Sequence, residues 1–482
     1  MANILVIGGG VAGLSAGIYA QLCGHRATVC ERHFAAGGNL TGWNRAGYHI
    51  DNCIHWLTGT NKSTSTYKMW EDLGALGGVD IRKENSLYTY ELCGERMSLY
   101  RDIDKFERRM LEISPEDERE IRSFVRAIRV VQGLMGVGGK EHNKSVKLLE
   151  LIRSVPSLVR YYKMTAGDFA KRLKSPLLRE FFVSFMTDRF GILALIFVFA
   201  HFCGDNADLP AGGSVSMAKR MVERFKSLGG KLLLKKEAIK IHRKGKRAES
   251  VEFSDGEVID ADYVVLTTDP AAAFGTLLDE KMPVQLEKMY SSERYMRFSS
   301  YQCAFACDLP TLPFEADITV KLPERYRVRM GSEYLVVREF SHEPSYAPEG
   351  KNIIQTMTFT DERTARKFID RYDSKEHYES YKRYLARIVK EAVEECLPEL
   401  CGHIELLDMW TPATYKRYVG SDIGSYMSFA FSSRVLPIKK SNRIRGLDNV
   451  IMATQWLQSP GGLPIAAEVG RSAIYTINKL CK

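Results

Sequence analysis

The chain has 482 residues, 45% of them apolar and 26% charged, with no low-complexity tract and no internal repeat, so it reads as a globular protein of about two to four domain-sized units. The net charge of +9 points to nucleic acid, anionic lipid or neither, and no nucleic-acid motif accompanies it. The ten cysteines form no C-x-x-C pair, and the spacings Cys303/Cys307 and Cys396/Cys401 are too loose for a zinc knuckle, so no metal site is expected.

In chain order, the first element is an apolar strand, Asn3 to Ile7, running into Gly8-x-Gly10-x-x-Gly13. A helix follows from Leu14 to Gly24, then a second strand, Ala27 to Cys30, ending in Glu31. The first glycine permits the tight turn, the second lets backbone approach a pyrophosphate, and the third lets helix pack on strand. The helix aims its positive end at phosphates, and the acid can accept from ribose hydroxyls. Strand, helix, second strand and acid together specify a dinucleotide-binding βαβ unit. With a strand at residue 3, no cleaved leader is expected, and the expected location is cytoplasmic.

Arg32, Gly37-Gly38-Asn39 and Gly47 to Asp51 come next, then Asn52-Cys53-Ile54-His55-Trp56. Glu116 to Val130 has apolar residues at helical spacing. Gly133 to Gly139 reads as a loop and not as a second nucleotide motif. Residues 140–174 interleave Lys140, Lys144, Lys147, Arg153, Arg160, Lys163, Lys171, Arg172 and Lys174 with leucines and valines. That pattern suits either a helix lying on an anionic membrane or a solvated face over a buried stripe. Phe190 to Phe202 is apolar but shorter than the ~20 residues that span a bilayer, so it reads as a buried helix lining an apolar pocket.

After Pro210-x-Gly212-Gly213 the expected order is a helix (Val215 to Leu228), Gly229-Gly230, strands at Lys231 to Leu234, Ala238 to His242 and Ala248 to Phe253, a turn at Asp255-Gly256, and the strand Tyr263 to Thr268 ending in Asp269-Pro270. Residues 285–440 mix strands (Tyr334 to Glu339, Asn352 to Thr360) with a long charged helix (Lys375 to Cys396) and a turn and strand around Asp408 to Tyr415. The last elements are a strand (Asn449 to Thr454), the loop Gln455 to Pro464 with Gly461-Gly462-Leu463-Pro464, and a helix from Ala466 to Lys479. A glycine-rich loop entering a helix offers backbone N–H groups and a dipole to an anion or a polarised ring edge.

These motifs, taken in order, resemble the phytoene desaturase, carotenoid isomerase and retinol saturase group of the amine oxidase superfamily. The resemblance implies an α/β fold: a discontinuous, Rossmann-like two-dinucleotide-binding domain for FAD (1–90, 205–284 and 441–482) with an inserted α+β substrate domain (91–204, mainly helical, and 285–440). It implies FAD contacts at Gly8, Gly10, Gly13, Glu31, Arg32, Gly37, Gly38, Asn39, Ala238, Asp269, Gln455, Gly462, Leu463 and Pro464. Asn39 stands where the family has arginine, Ala238 where it has valine, and Gln455 where many relatives carry an acid. Cys53 replaces a family glycine.

The resemblance further implies an FAD-dependent oxidoreductase working at C=C or C–C bonds of a long apolar substrate, by desaturation, saturation or isomerisation. His55, on the stretch leading toward the flavin, is a candidate to exchange a proton. Tyr415 and Tyr426 are candidates to donate one to a reduced alkene. Oxygen, a quinone or a carrier protein is left as electron partner, and an isomerase needs only reduced flavin. Two alternatives stand beside this reading. An amine oxidase would place a lysine near the flavin and an aromatic wall such as Trp456. A non-enzymatic lipid binder of the prenyl-protein carrier type would have let the glycine signature decay.

Overall fold

The computed structural model describes residues 1–137, 148–315, 317–436 and 438–481, and of 148–154 the backbone alone. Five short strands are assembled from three distant parts of the sequence. They are β1 (Asn3–Ile7), β2 (Arg26–Cys30), β3 (Lys231–Leu233), β4 (Tyr263–Leu266) and β5 (Val450–Met452). They pair in parallel in the order β3-β2-β1-β4-β5. Ile4 to Ile7 and all of β4 are buried, as expected of parallel strands covered on both faces. The order reverses between β1 and β4, the place where open α/β sheets bind ligands.

Three helices cover one face: α1 (Val11–Leu22), α2 (Gly213–Ser227) and α3 (Leu463–Leu480). Small residues bring the first and last of these together. Ser15 Oγ donates to the Ala467 carbonyl at 2.6 Å, and a Cβ at Gly470 would run into the Ala12 carbonyl. On the other face an antiparallel layer (Ala238–Lys244, Arg247–Phe253, Val258–Asp260) packs Val251 and Phe253 into one cluster with Leu5 and Ile7.

The rest of the chain builds a second sheet with helices against it. Seven strands run in the order Ile404–Trp410, Ser299–Cys307, Asn352–Thr360, Tyr334–Glu339, Asp317–Lys321, Ser86–Leu92, Glu95–Tyr100. Ser86–Leu92 belongs to this sheet, so the first domain boundary falls before Ser86 and not at residue 90. Helices Glu118–Met135, Pro176–Ser184 and Ile192–Cys203 meet around Phe124, Phe181, Phe182 and Phe199, each fully buried. Burial of each such ring is worth roughly 1.5–3 kcal/mol.

Several boundaries differ from the sequence expectation. Thr411 to Tyr415 is not a strand: Pro412–Val419 is a helix, started by a reciprocal pair of hydrogen bonds between Thr411 and Thr414. Gly133 lies inside the helix Glu118–Met135, and Gly136 is its left-handed cap; Gly138 and Gly139 lie outside the described residues. No helix among the described residues is long and apolar enough to cross a membrane.

Candidate functional site

One cavity of about 710 Å3 runs from the glycine loop of the first domain to the helical layer of the second. Its nucleotide end is built by the β1-turn-α1 unit. Gly8 sits at φ +103°, which only glycine adopts without strain, and its N–H donates to the Cys30 carbonyl at 2.8 Å. Gly13 lies beneath the turn and does not line the cavity; a Cβ there would strike the Gly8 carbonyl. Gly10 is different: a Cβ would clear every protein atom by 3.9 Å, so this glycine serves the space over the loop, where a pyrophosphate fits.

Glu31 is buried at the end of β2. Its Oε2 accepts from Gly9 N at 2.7 Å and its Oε1 from His33 N at 2.9 Å. Those bonds hold the carboxylate on the cavity wall, each oxygen keeping a lone pair for a ribose hydroxyl. Gly37 and Gly38 lie over the loop, with Gly37 N donating to Gly9 O at 2.8 Å. Ala238 lines the same end, and Lys236, absent from the sequence reading, stands beside it bound to Asp255 and Glu257.

Three expected contacts have their side chains committed within the protein. Arg32 donates to the Arg417 carbonyl at 2.5 Å, and Asn39 Nδ2 to the Tyr426 carbonyl at 3.2 Å. Asp269 accepts from Ala271 N (2.8 Å), the Tyr290 hydroxyl (2.6 Å) and Asp422 N (3.2 Å). All three line the cavity, but Asp269 acts as an organiser of its wall. At the third part, Gln455 Oε1 accepts from Gly462 N at 2.8 Å, fixing the loop before Leu463 and Pro464, where α3 begins and its unpaired N–H groups face the cavity.

The opposite end is apolar. On the second sheet, register aligns Thr319, Val336 and Met357 in one row across three strands. Phe359 and Asp317 lie two residues along their strands and so share that face. Facing them is the helix Ile192–Cys203, which presents Ala194, Phe197, Val198 and His201, spaced as one helical stripe. Trp56, Phe185, Phe190 and Phe431 close the sides. The buried helix expected from Phe190 to Phe202 is therefore a pocket wall.

Few polar groups reach this apolar end. His55 does, with Nδ1 4.0 Å from Asp317 Oδ2. Burial, helped by the Arg338 guanidinium, holds the His55 imidazole well below its usual range, so it stands neutral. Burial pushes the Asp317 carboxyl up to about 6, although Arg338 Nε lies 3.2 Å away and pulls the other way. His201 is lowered to about 4 by burial. Tyr426 lines the cavity, its phenol raised by burial and held in the neutral, proton-bearing form.

Tyr415 does not belong with them. Its hydroxyl donates to Asn52 Oδ1 at 2.9 Å and accepts from Gln302 Nε2 (2.8 Å) and Trp410 Nε1 (3.0 Å), in a buried network off the cavity. Tyr415 is a structural residue and not a proton donor. Cys53 lines the cavity with its thiol pushed up to about 12, chiefly by burial, so it is not a ready nucleophile. The sequence reading missed Asp317 and Arg338. The signal for Arg338 was there, in Arg338-Glu339 closing the apolar run Tyr334 to Val337; Asp317 gave none.

The family described as flavin containing amine oxidoreductase matches residues 11–405. The chain belongs to that family. This flavin-containing oxidoreductase is 24% identical over 452 residues to prolycopene isomerase 1 of an Oncidium hybrid cultivar, covering 88% of this chain and 75% of that one. It is 27% identical over 293 residues to a lycopene-forming phytoene desaturase of a Paracoccus species, covering 57% and 56%. The fold is shared with an oxidoreductase from Methanosarcina mazei (TM-score 0.63, 15% identity, 99% and 100% covered) and with putrescine oxidase bound to putrescine (TM-score 0.60, 12% identity, 99% of each covered). FAD is the cofactor of this oxidoreductase. The cradle over Gly10, the Glu31 carboxylate and the α3 start fit it at three points.

Proposed function

We propose that the chain acts on a long polyene of the carotenoid class, isomerising, desaturating or saturating a C=C system held in the apolar end of the cavity. The observation that carries this is the continuity of the cavity: the space lined by Glu31 and Gly462 runs on between the Thr319–Val336–Met357 row and the Ala194–Val198 stripe. The relatives named prolycopene isomerase and phytoene desaturase support the same class. FAD supplies hydride chemistry when bound. The chain's own part is to orient an apolar rod, exclude water and manage a proton. Tyr426 holds one at its hydroxyl.

An amine substrate fits this site poorly. An ammonium needs a carboxylate in a site that tolerates a cation, and the guanidinium of Arg338, 3.2 Å from Asp317 at the apolar end, repels one. Lys236 is the one lysine among the described lining residues; it sits at the nucleotide end and is ion-paired.

The same proposal includes a way in from a lipid surface. Val155 and Val159, one turn apart, are each 47% exposed, and Ile438 is 61% exposed. The end of the helix Leu148–Tyr162 is tied to Arg434, whose N–H donates to the Tyr162 carbonyl at 2.7 Å. Phe431, three residues before Arg434, lines the cavity and stacks on Phe190. Lys163 and Arg434, next to that backbone contact in the chain, are exposed. Of the basic stretch noted in the sequence, Lys140, Lys144 and Lys147 lie outside the described residues, whereas Arg160 and Arg172 face Glu120.

The deciding experiment reconstitutes the protein with FAD and offers phytoene, prolycopene and lycopene in liposomes, beside a series of alkylamines, to the oxidised and to the anaerobically reduced protein in parallel. A changed polyene identified by chromatography is the expected result. Reduction of the oxidised flavin by an amine, with every polyene returned unchanged, would overturn the proposal.

A further inference from the structure

Behind the apolar end lies a second, smaller chamber of about 30 Å3. It shares His55, Trp56, Leu87 and Asp317 with the main cavity, so these four residues form the partition between the two. On its far side the lining changes character: Glu84, Arg101, Asp208, Arg338, Glu339 and His342 all reach it. The volume has room for about two water molecules. Its polar groups are not fully used by the protein. Arg338, with a side chain 3% exposed, donates through Nε to Asp317 and through Nη2 to the Ile54 carbonyl, but Nη1 has no partner among the described residues. His342 Nδ1 is likewise unpaired, 3.8 Å from Glu339 Oε1. Buried donors and acceptors of this kind bind ordered water.

The sheet explains why the partition carries a carboxylate. Ile318 is opposite Val337, so the next rung sets Asp317 against Arg338, and on the other side Asp317 pairs with Tyr88. Asp317 is thus the point where the apolar row Thr319–Val336–Met357 meets the polar chamber. Among the described residues it is the one carboxylate that touches both spaces.

We propose that Asp317 is the group that takes up and releases the reaction's proton, and that the chamber behind it links this carboxyl to solvent through ordered water. The inference rests on the polyene reading for the identity of the reaction, though not for the existence of the proton site. Forming a C=C bond removes two hydrogens. One leaves as hydride to the two-electron oxidant, the flavin chemistry already named. The electrons of the second C–H bond become the π pair, and its proton passes to Asp317 Oδ. In the saturating direction the protonated carboxyl returns it. The charged and titratable groups that face Asp317 are His55, Arg338 and Glu339, with Glu84, Arg101, Asp208 and His342 across the chamber. The raised carboxyl and the neutral His55 suit a group that changes its charge near working pH.

The test has two arms. In the first, the apoprotein is titrated by pH-difference infrared spectroscopy, without flavin or substrate. The expected result is a protonated-carboxyl band that fades as pH rises through about 6, shifts at once on transfer to D2O, and is missing in Asp317→Asn. A band that survives in Asp317→Asn, or no band at all, means a permanently ionised partner of Arg338 and overturns the proposal. In the second arm Asp317→Asn and Asp317→Glu are loaded with FAD and given the polyene that wild type converts. Asp317→Asn should retain flavin and lose at least about 100-fold in turnover, with partial rescue and a shifted pH profile in Asp317→Glu. Turnover of Asp317→Asn within threefold of wild type would overturn it. If wild type converts no polyene, the functional reading fails while the infrared arm still decides on Asp317.

Discussion

At the residue scale, what separates Tyr415 from Tyr426 is hydrogen bonding and not residue type. Tyr415 closes a buried network with Asn52, Gln302 and Trp410, whereas Tyr426 faces the cavity. Tyr415→Phe should therefore cost about 1–3 kcal/mol of stability by leaving those partners unpaired, with conversion per bound flavin unchanged; urea melts beside turnover check both. Asp317 gives the opposite kind of expectation. Its proton is held more tightly in the folded chain than at the ordinary value of 3.8, so the stabilisation is complete below that value and is lost as pH rises through about 6. Wild type should thus lose roughly 3 kcal/mol relative to Asp317→Asn between those limits, and the difference should be flat on either side. Melting both proteins across that range tests the sign as well as the size. The turn at Gly8 and the acid Glu31 beside it were legible because a glycine turn constrains backbone locally. Asp317 was not, because its meaning comes from a cross-strand neighbour and a chamber that no local pattern encodes.

At the element scale, the helix Ile192–Cys203 shows what hydropathy conveys and what it hides. An all-apolar run announced a buried helix. Which of its faces meets solvent-free core and which meets a cavity depends on Phe199 packing among Phe124, Phe181 and Phe182, and this leaves Val198 toward the open space. Val198→Trp should fill part of that space. Flavin content should stay at the wild-type level, and turnover of a long polyene should fall at least about tenfold, read by chromatography beside the flavin spectrum. The strands Tyr334–Glu339 and Asn352–Thr360 and the helix Lys375–Cys396 match their sequence bounds, since alternation and charge periodicity fix them locally. The helix Pro412–Val419 was read as a turn and strand because its start is signalled by side chains alone, from the N-cap Thr411 and from Thr414 inside the helix.

At the scale of the whole molecule, the discontinuous nucleotide domain was legible from three separated glycine signatures, and the boundary before Ser86 was not, because a strand's sheet membership is a long-range property. The exposed patch gives the expectation at this scale. Val155→Asp/Val159→Asp should fold and hold FAD as wild type does, yet float poorly with anionic phosphatidylserine vesicles in a sucrose gradient. Wild-type flotation of the pair would remove the lipid surface from the proposal. The packing of α1 on α3 has a further consequence, in time and not in space. Ser15 and Ala467 meet across 452 residues of chain. At ~5–20 residues per second a ribosome makes the second about 20–90 s after the first. Through that interval the N-terminal unit has its phosphate turn but lacks the far wall of its own cleft. The complete cleft therefore forms only once α3 has been made, and until then the face of α1 that packs on α3 lacks its partner.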